Sequence, residues 1–431
     1  MTETDEKAIE KAVHLLTQQE LEAVIKMHEN FIMGRKGGTR ARLSHYNLAG
    51  LSFVNKDMSD ADFTGAYLNE ADFTGAKLDR AIFYCADLRH ANLSGASLRQ
   101  ADLRGASLRG TNLVGADMTD TDLRDGALSS ADSRGELTKA HKNLTPTDKG
   151  GANLSGANLS GAKMSGAVAI GSDFSDATMK GAKIKKASLN GANFSGANLI
   201  NADLSECNLE NVLLRDAVLT GTAINLSKVS KENLKGALRD MPIGPSIKDL
   251  PLPLDQLLQL HKTWIESSGK EGKQLDISGY DLRHSISFSG LCLTLMRGKG
   301  AILYELNFSR AQMQNGDLRE ADLRHVNFSA ADLRGSNFNK AQLKNANLQN
   351  AQLQPLALSN GNILTSDMSG ASLRYANLTR ANLRHVKFHN VDLCDADLRG
   401  ADLTSADFKD ANLDGARLDP EQKDFLEAFS Q

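Results

Sequence analysis

A period of five residues runs through about two thirds of this chain and limits its fold more than any other feature. It is plain in Ala61-Asp62-Phe63-Thr64-Gly65, in Ala71-Asp72-Phe73-Thr74-Gly75 and in Ala101-Asp102-Leu103-Arg104-Gly105. With the large apolar residue taken as the centre of each unit, centres recur from Leu48 to Leu128, from Leu154 to Ile224 and from Phe288 to Leu418, which is 17, 15 and 27 units. Five matches neither the 3.6-residue period of an amphipathic helix nor the two-residue period of a half-buried strand. Each unit carries a small Ala and, two residues later, a large Leu or Phe. The residue between them and the pair that follows are polar or Gly. Two inward side chains flanking one outward residue make a short extended segment, and the polar pair turns a corner.

Phenylalanine sets the number of corners per coil. Phe53/Phe73, Phe63/Phe83, Phe174/Phe194, Phe288/Phe308/Phe328 and Phe388/Phe408 are spaced by twenty, and Phe338 has no such counterpart. Twenty residues are four units. The spacing predicts a four-sided coil that stacks Phe on Phe along an inner wall, neighbouring coils lying about 4.8 Å apart.

These units closely resemble the pentapeptide-repeat family, whose pattern is A(D/N)LXX. The resemblance implies an all-β solenoid, a right-handed quadrilateral β-helix; the handedness comes from the family alone. Here it implies two tandem solenoid modules with short capping α-helices.

An open coil end exposes bare backbone edges. Helices are expected there. Thr17-Gln18-Gln19-Glu20 is a capping box, followed by one apolar face from Leu21 through His28 and Phe31 to Ile32. Asp419 and Pro420 read as the N-cap and first residue of a helix at the far end. Leu254-Asp-Gln-Leu257 through His261 and Trp264-Ile265 matches Leu21-Glu-Ala-Val24 through His28 and Phe31-Ile32 at a fixed offset. The unit is therefore duplicated. The expected layout is a polar N-terminal segment and first capping helix in 1–42, with the helix at about 17–33. A first solenoid spans 43–240, with an excursion at 134–150 and a terminal helix at about 228–239. A Pro-rich linker occupies 241–253, a second capping helix and hinge 254–274, a second solenoid 275–418 and a C-terminal capping helix 419–431. The register slips by one between Leu282 and Phe288, and Gly298 occupies a centre. The first coil of the second module should therefore be irregular.

Chemistry is scarce. No HExxH, GxSxG, P-loop or dinucleotide-binding glycine pattern occurs, and no CxxC pair. No catalytic, cofactor or metal residues are assigned, and the chain is expected not to be an enzyme. Fifty Lys+Arg against 53 Asp+Glu leave a net charge of −3, so bulk charge names no partner. His28 and His261, each three residues before an aromatic, are expected to bond a bare carbonyl of the first coil while Phe31 or Trp264 seals the core. Lys180, Lys183, Lys185 and Lys186 form a basic patch without aromatic interleaving, which speaks against nucleic acid. Many outward Arg follow a centre whose preceding residue is Asp or Asn.

The best candidate partner face rests on a twenty-residue column of centres, Leu323, Leu343, Ile363, Leu383 and Leu403. It would carry Arg324, His325, Lys344, Arg384 and His385 on one side of the square. The expected function is a non-enzymatic protein-binding scaffold, with pairing of two copies through terminal capping helices as a further expectation. Resemblance to the quinolone-resistance members suggests an alternative, a DNA mimic acting on a type II topoisomerase, although such mimicry needs a dominant acidic surface. Similarity to bacterial effectors of the family suggests a leaderless secreted protein. The polar N-terminus, the lack of an 18-residue apolar stretch and the sparse cysteines point to the cytoplasm and to no membrane span.

Overall fold

In the computed structural model, the residues described are 15–126, 129–131, 137–139, 151–283, 285–358 and 361–422. The chain divides into two compact units, Met1–Met241 and Pro242–Gln431.

The first unit begins with helix α1 (Gln18–Ile32). Thr17 Oγ1 accepts from the Glu20 N–H, and the Glu20 carboxylate accepts from the Thr17 N–H, closing a capping box. Leu21, Ile25 and His28 form its buried face. Coils follow. Ser52 pairs with Asp72, Asp72 with Asn92 and Asn92 with Asn112, all as parallel bridges twenty residues apart. Two rules generate the ladder. The N–H of each centre donates to the residue before the next coil's centre, as from Phe53 to the Asp72 carbonyl at 2.7 Å. Each turn closes on itself, as when the Ala66 N–H donates to the Phe63 carbonyl. The second corner residue has positive φ, which Gly65 adopts freely at 60°. Asp60, at 63°, takes the same left-handed conformation with a side chain.

The small and large inward residues fill the interior. Ala61, Phe63, Ala66 and Leu68 are fully buried, as are most of their counterparts in later coils; towards the coil ends Ile224, Phe408, Leu413 and Leu418 are only partly buried. Phe53 stacks on Phe73 with centroids 4.4 Å apart, Phe63 on Phe83 at 4.8 Å and Phe174 on Phe194 at 4.7 Å. The two Phe columns also meet edge-on across the interior, Phe53–Phe63 at 5.7 Å and Phe63–Phe73 at 5.9 Å. Spacing by twenty carries no sign of this second set of contacts.

The first excursion is wider than 134–150. The coil leaves after Leu123 and its corner, and resumes at Ala152, whose N–H donates to the Leu123 carbonyl at 2.8 Å. Ser107 then pairs with Asn153 and Asp122 with Val168, 46 residues apart instead of twenty, so 26 residues are spliced out. The expected unit centred on Leu128 lies outside the described residues. Most of 134–150 lies outside the described residues. Within the excursion, β1 (Ser129–Ala131) pairs antiparallel with β2 (Leu137–Lys139).

The terminal helix expected at about 228–239 is replaced by two 3-10 turns, Leu226–Lys228 and Glu232–Leu234. Here the coil edge beneath outcompetes a short helix. Leu214, Asp216 and Leu219 N–H groups donate up to the carbonyls of Asn233, Lys235 and Leu238, and Val218 pairs with Leu238. Gly236, at φ 72°, turns the corner.

In the second unit, the segment read as a free linker is partly built into the first coil. Ser246 pairs with Asp281, and the Asp281 N–H donates to the Pro245 carbonyl at 2.7 Å. Helix α2 (Leu254–Glu266) follows, burying Leu254, Leu257 and His261. Asp276 pairs with Arg297 and Asp281 with Ile302, 21 residues apart, which is the one-residue slip. A Cβ at Gly298 would lie 3.1 Å from Leu318 Cδ2 and 3.4 Å from Met296 Cε. Neighbouring side chains therefore occupy the space a larger centre would need. Phe288–Phe308 and Phe388–Phe408 stack at 4.8 and 4.9 Å, and Phe308–Phe328 meet at 5.3 Å with their rings tilted by 33°. Phe338 meets Phe328 edge-on at 6.0 Å.

A second excursion was not anticipated. Asn337 pairs with Asp367, Gln342 with Ser372 and Gln352 with Asn382, thirty residues apart. Ten residues are spliced out around a small hairpin, β3 (Leu356–Ala357) with β4 (Ile363–Leu364). Ile363, expected at a core centre, is 66% exposed. Beyond Asp419, helical backbone begins at Pro420; the rest of the expected C-terminal cap, 423–431, lies outside the described residues. Among the described residues no helix is long and apolar enough to cross a membrane.

Candidate protein-binding walls and coil ends

Outward side chains are ordered by bonds within each unit. An Asp or Asn before the centre accepts, through Oδ1, the N–H of the residue after it, as in Asp62–Thr64 at 3.0 Å, Asn158–Ser160 at 3.2 Å and Asn307–Ser309 at 3.0 Å. This local bond rigidifies the corner approach. Where the residue before the centre is Asp and the residue after it Arg, the guanidinium folds back in a bidentate pair. Arg104–Asp102, Arg124–Asp122, Arg319–Asp317, Arg334–Asp332 and Arg399–Asp397 all close at 2.6–2.7 Å. The Arg319 hydrogen bonds, only partly opposed by burial, hold the Asp317 carboxyl below its ordinary value. Exposed pairs of this kind contribute about 0–1 kcal/mol; their effect here is to cancel local charge and fix side chains.

The ten-residue excursion breaks the candidate face. Leu343 continues into Leu373, and Leu353 into Leu383, because their N–H groups donate to Ser372 and Asn382. The row of Arg324 and Lys344 therefore continues into Arg374, while Arg384 lies above Gln354 and Arg334. Ten residues are two of the four units in a coil. Arg384 and His385 consequently stand on the wall opposite Arg324, His325 and Lys344. Arg324 is also buried, its guanidinium bound to Asp322 at 2.6 Å with Tyr304 beneath it. Arg384 follows Asn382, lacks that clamp and remains exposed, its guanidinium 3.8 Å from Asp402 in the next coil. His385 is exposed beside it.

The basic patch is divided as well. Lys183, Lys185 and Lys186 belong to one unit and Lys180 to the preceding wall. Lys185 lies 3.5 Å from Asp203 and Lys186 3.9 Å from Glu206.

The coil ends are built from side chains that imitate a missing neighbouring coil. In the first unit the Leu16 N–H donates to the Asn47 carbonyl. Gln18 meets Ser52 twice, accepting its N–H at 2.9 Å and donating to its carbonyl at 3.0 Å. His28, fully buried, accepts the Ala41 N–H on Nδ1 and faces the Ser59 carbonyl with Nε2, both at 3.0 Å. Phe31 stacks on it at 5.8 Å. Burial holds the His28 pKa below its ordinary value. In the second unit His261 Nδ1 accepts the Leu275 N–H at 3.0 Å, and Trp264 stacks on the ring at 5.9 Å. Gln274 donates to the Leu295 carbonyl. At the far end Gln422 donates to the carbonyls of Leu398 and Ala401, and Asp419 accepts from the Gly400 N–H. Sequence reading places Gln422 in a box-like cap, and its Oε1 does accept the Asp419 N–H at 2.8 Å; it missed the coil-edge contacts of Gln18, Gln274 and Gln422, since only the coil register shows which edge groups they meet.

A stack of twenty-residue coils with ordered outer rows defines a repeat protein. The pentapeptide-repeat sequence pattern matches repeatedly, over residues 57–95, 86–125, 152–191, 192–228, 299–329, 321–354, 357–390, 366–400 and 381–419. The chain belongs to the pentapeptide-repeat family. No match is found among curated protein sequences. Among solved structures, a trypsin-treated form of the plasmid-mediated fluoroquinolone resistance protein QnrB1 is 15% identical, covering 47% of this chain and 92% of its own at a TM-score of 0.29. HetL, a pentapeptide repeat protein involved in heterocyst differentiation regulation in the cyanobacterium Nostoc, is 20% identical, with 90% and 93% coverage and a TM-score of 0.15. A pentapeptide repeat protein of the Arabidopsis thaliana thylakoid lumen is 28% identical over 29% of this chain and 70% of its own, at a TM-score of 0.19.

Proposed function

We propose that the chain is a non-enzymatic scaffold that binds a protein partner through the outer walls of two right-handed quadrilateral β-helices. The observation that carries this reading is the contrast between a fully packed interior and pre-ordered outer rows. Side chains already fixed by Asx bonds and Arg–Asp clamps lose little freedom on binding, which lowers the cost of association. The partner wall is a wall of the second unit, and two rows compete for it. One carries Lys344 and Arg374, with His325 and Tyr375 at the corners. The other carries the exposed Arg384 and His385.

The test is recovery of partners from the native cell by the intact chain and by two wall variants, Lys344→Ser/Arg374→Ser and Arg384→Ser/His385→Ser. Loss of the same protein with one variant and its retention with the other supports the scaffold and assigns the wall. Equal recovery with both variants, at unchanged melting, rejects the wall assignment. The alternative, duplex mimicry at a type II topoisomerase, is weakened by walls whose Asp carboxylates are bound by Arg. Protection or inhibition of gyrase supercoiling at low micromolar chain would replace the scaffold reading with it.

A further inference from the structure

Two buried histidines in duplicated positions perform one task that an ordinary edge contact does not require. His28 lies between α1 and the open edge of the first coil and is 0% exposed; so is His261, between α2 and the first coil of its unit. In both, Nδ1 takes a backbone N–H from the strand-like segment after the helix, Ala41 or Leu275. That bond requires a lone pair on Nδ1, so the ring must be neutral. With Nδ1 as acceptor, the His28 proton sits on Nε2 and is donated to the Ser59 carbonyl. A second proton would enter at Nδ1, where it would confront the Ala41 N–H: two donors with no acceptor between them, in a site without solvent.

We propose that His28 and His261 are acid-sensitive latches. Each neutral imidazole ties a capping helix to the first coil, and a proton on Nδ1 releases the cap and bares the coil edge. The charged groups that act on His28 are Asp57 and Asp60, which favour the cation, and Arg40, which opposes it; desolvation outweighs them and holds the ring neutral. Around His261 the backbone of Leu293 and Thr294 favours a proton, yet Nε2 closes no hydrogen bond and burial again prevails. Both folded-state values lie below the ordinary 6.5. The latch therefore contributes fully above pH 6.5 and weakens as pH falls through that value toward the folded one. The Glu20 carboxylate of the first cap is held below its ordinary value by the Thr17 hydrogen bonds, so its titration lies below the histidine window. Opening would expose unpaired edge groups that favour end-to-end association.

The experiment is hydrogen exchange on the full chain between pH about 8 and about 5, corrected for the intrinsic pH dependence of exchange. Glutamine is the informative substitution, because it supplies an acceptor and a donor that do not titrate in this range, as Gln18 does on another wall. In the wild type, protection of α1 and α2 amides should fall by up to roughly tenfold per pH unit below 6.5. In His28→Gln, α1 should lose that dependence while α2 keeps it, and His261→Gln should show the reverse. An acid response of α1 identical in His28→Gln and wild type overturns the proposal, as does a flat wild-type response. Should the variants not fold, nitrogen NMR of the wild-type imidazoles decides: Nδ1 protonation of His28 with the Ala41 amide still protected overturns it, and their coincidence supports it.

Discussion

The two excursions differ in one respect that governs how readable each was. The first removes 26 residues from the coil and the second ten. Twenty-six is not a multiple of five, so the first interrupts the period and announces itself. Ten is, so the second preserves the period while moving every later residue half-way round the coil. Leu358 and Ile363 even occupy the places where centres would fall. A periodic sequence therefore reports interruptions that break its phase and hides those that keep it. Spacing by twenty is a sound guide to neighbours only within an uninterrupted run.

Four measurements probe that comparison, the largest effect first. Phe308 lies between Phe288 and Phe328 in a run that no excursion crosses. Phe308→Ala should cost about 3–5 kcal/mol in denaturant melts of the second unit's transition. A loss below 1 kcal/mol would mean the column is not packed. Next, Phe338 lies directly before the second splice, its N–H on the Asp367 carbonyl, so Met368 follows it in the column where simple spacing would place Leu358. A double-mutant cycle of Phe338→Leu with Met368→Ala should give coupling of about 0.5–3 kcal/mol, against nearly none with Leu358→Ala. The opposite pattern would restore the uninterrupted register.

Third, each splice is pinned by a buried serine. Ser366 Oγ donates to the Leu353 carbonyl at 2.7 Å and accepts the Gly335 N–H at 3.0 Å; Ser172 Oγ donates to Leu123 at 2.8 Å. Leu123 keeps a second donor in Ala152. Ser366→Ala should cost about 1–3 kcal/mol and Ser172→Ala about 0.5–1.5; equal losses would remove the distinction. Last, Ile363→Ser should change melting by no more than about 0.5 kcal/mol, since the side chain is mostly in solvent. A core-sized loss there would place Ile363 inside.

Much of the architecture was legible because it rests on local chemistry. The inward Ala and Leu or Phe, the corner pair and the capping box at Thr17 and Glu20 each act within a few residues. Features that depend on register were not. The edge-on Phe contacts, the glutamines at the coil ends and the separation of Arg384 from Lys344 follow from which unit lies above which. The short segment around Leu234 was misread for a related reason: its composition suits a helix, but an adjacent coil offered its backbone better partners. The alternation of Arg fates was half visible. Asp before the centre marks an Arg that will fold back, and Asn before Arg384 marks one that stays outside.

Clamping of Arg by the Asp of its own unit bears on how such a chain can lengthen. A unit of that kind brings its counter-ion with it, so copying it adds surface without adding field. Duplication of the whole assembly could then proceed with no mounting self-repulsion to select against it, and 103 charged side chains come to a net of only −3. A lineage built from such units is free to vary its length while its solubility and electrostatic reach stay nearly constant, leaving the few unclamped positions, such as Arg384, as the places where a new specificity can be written.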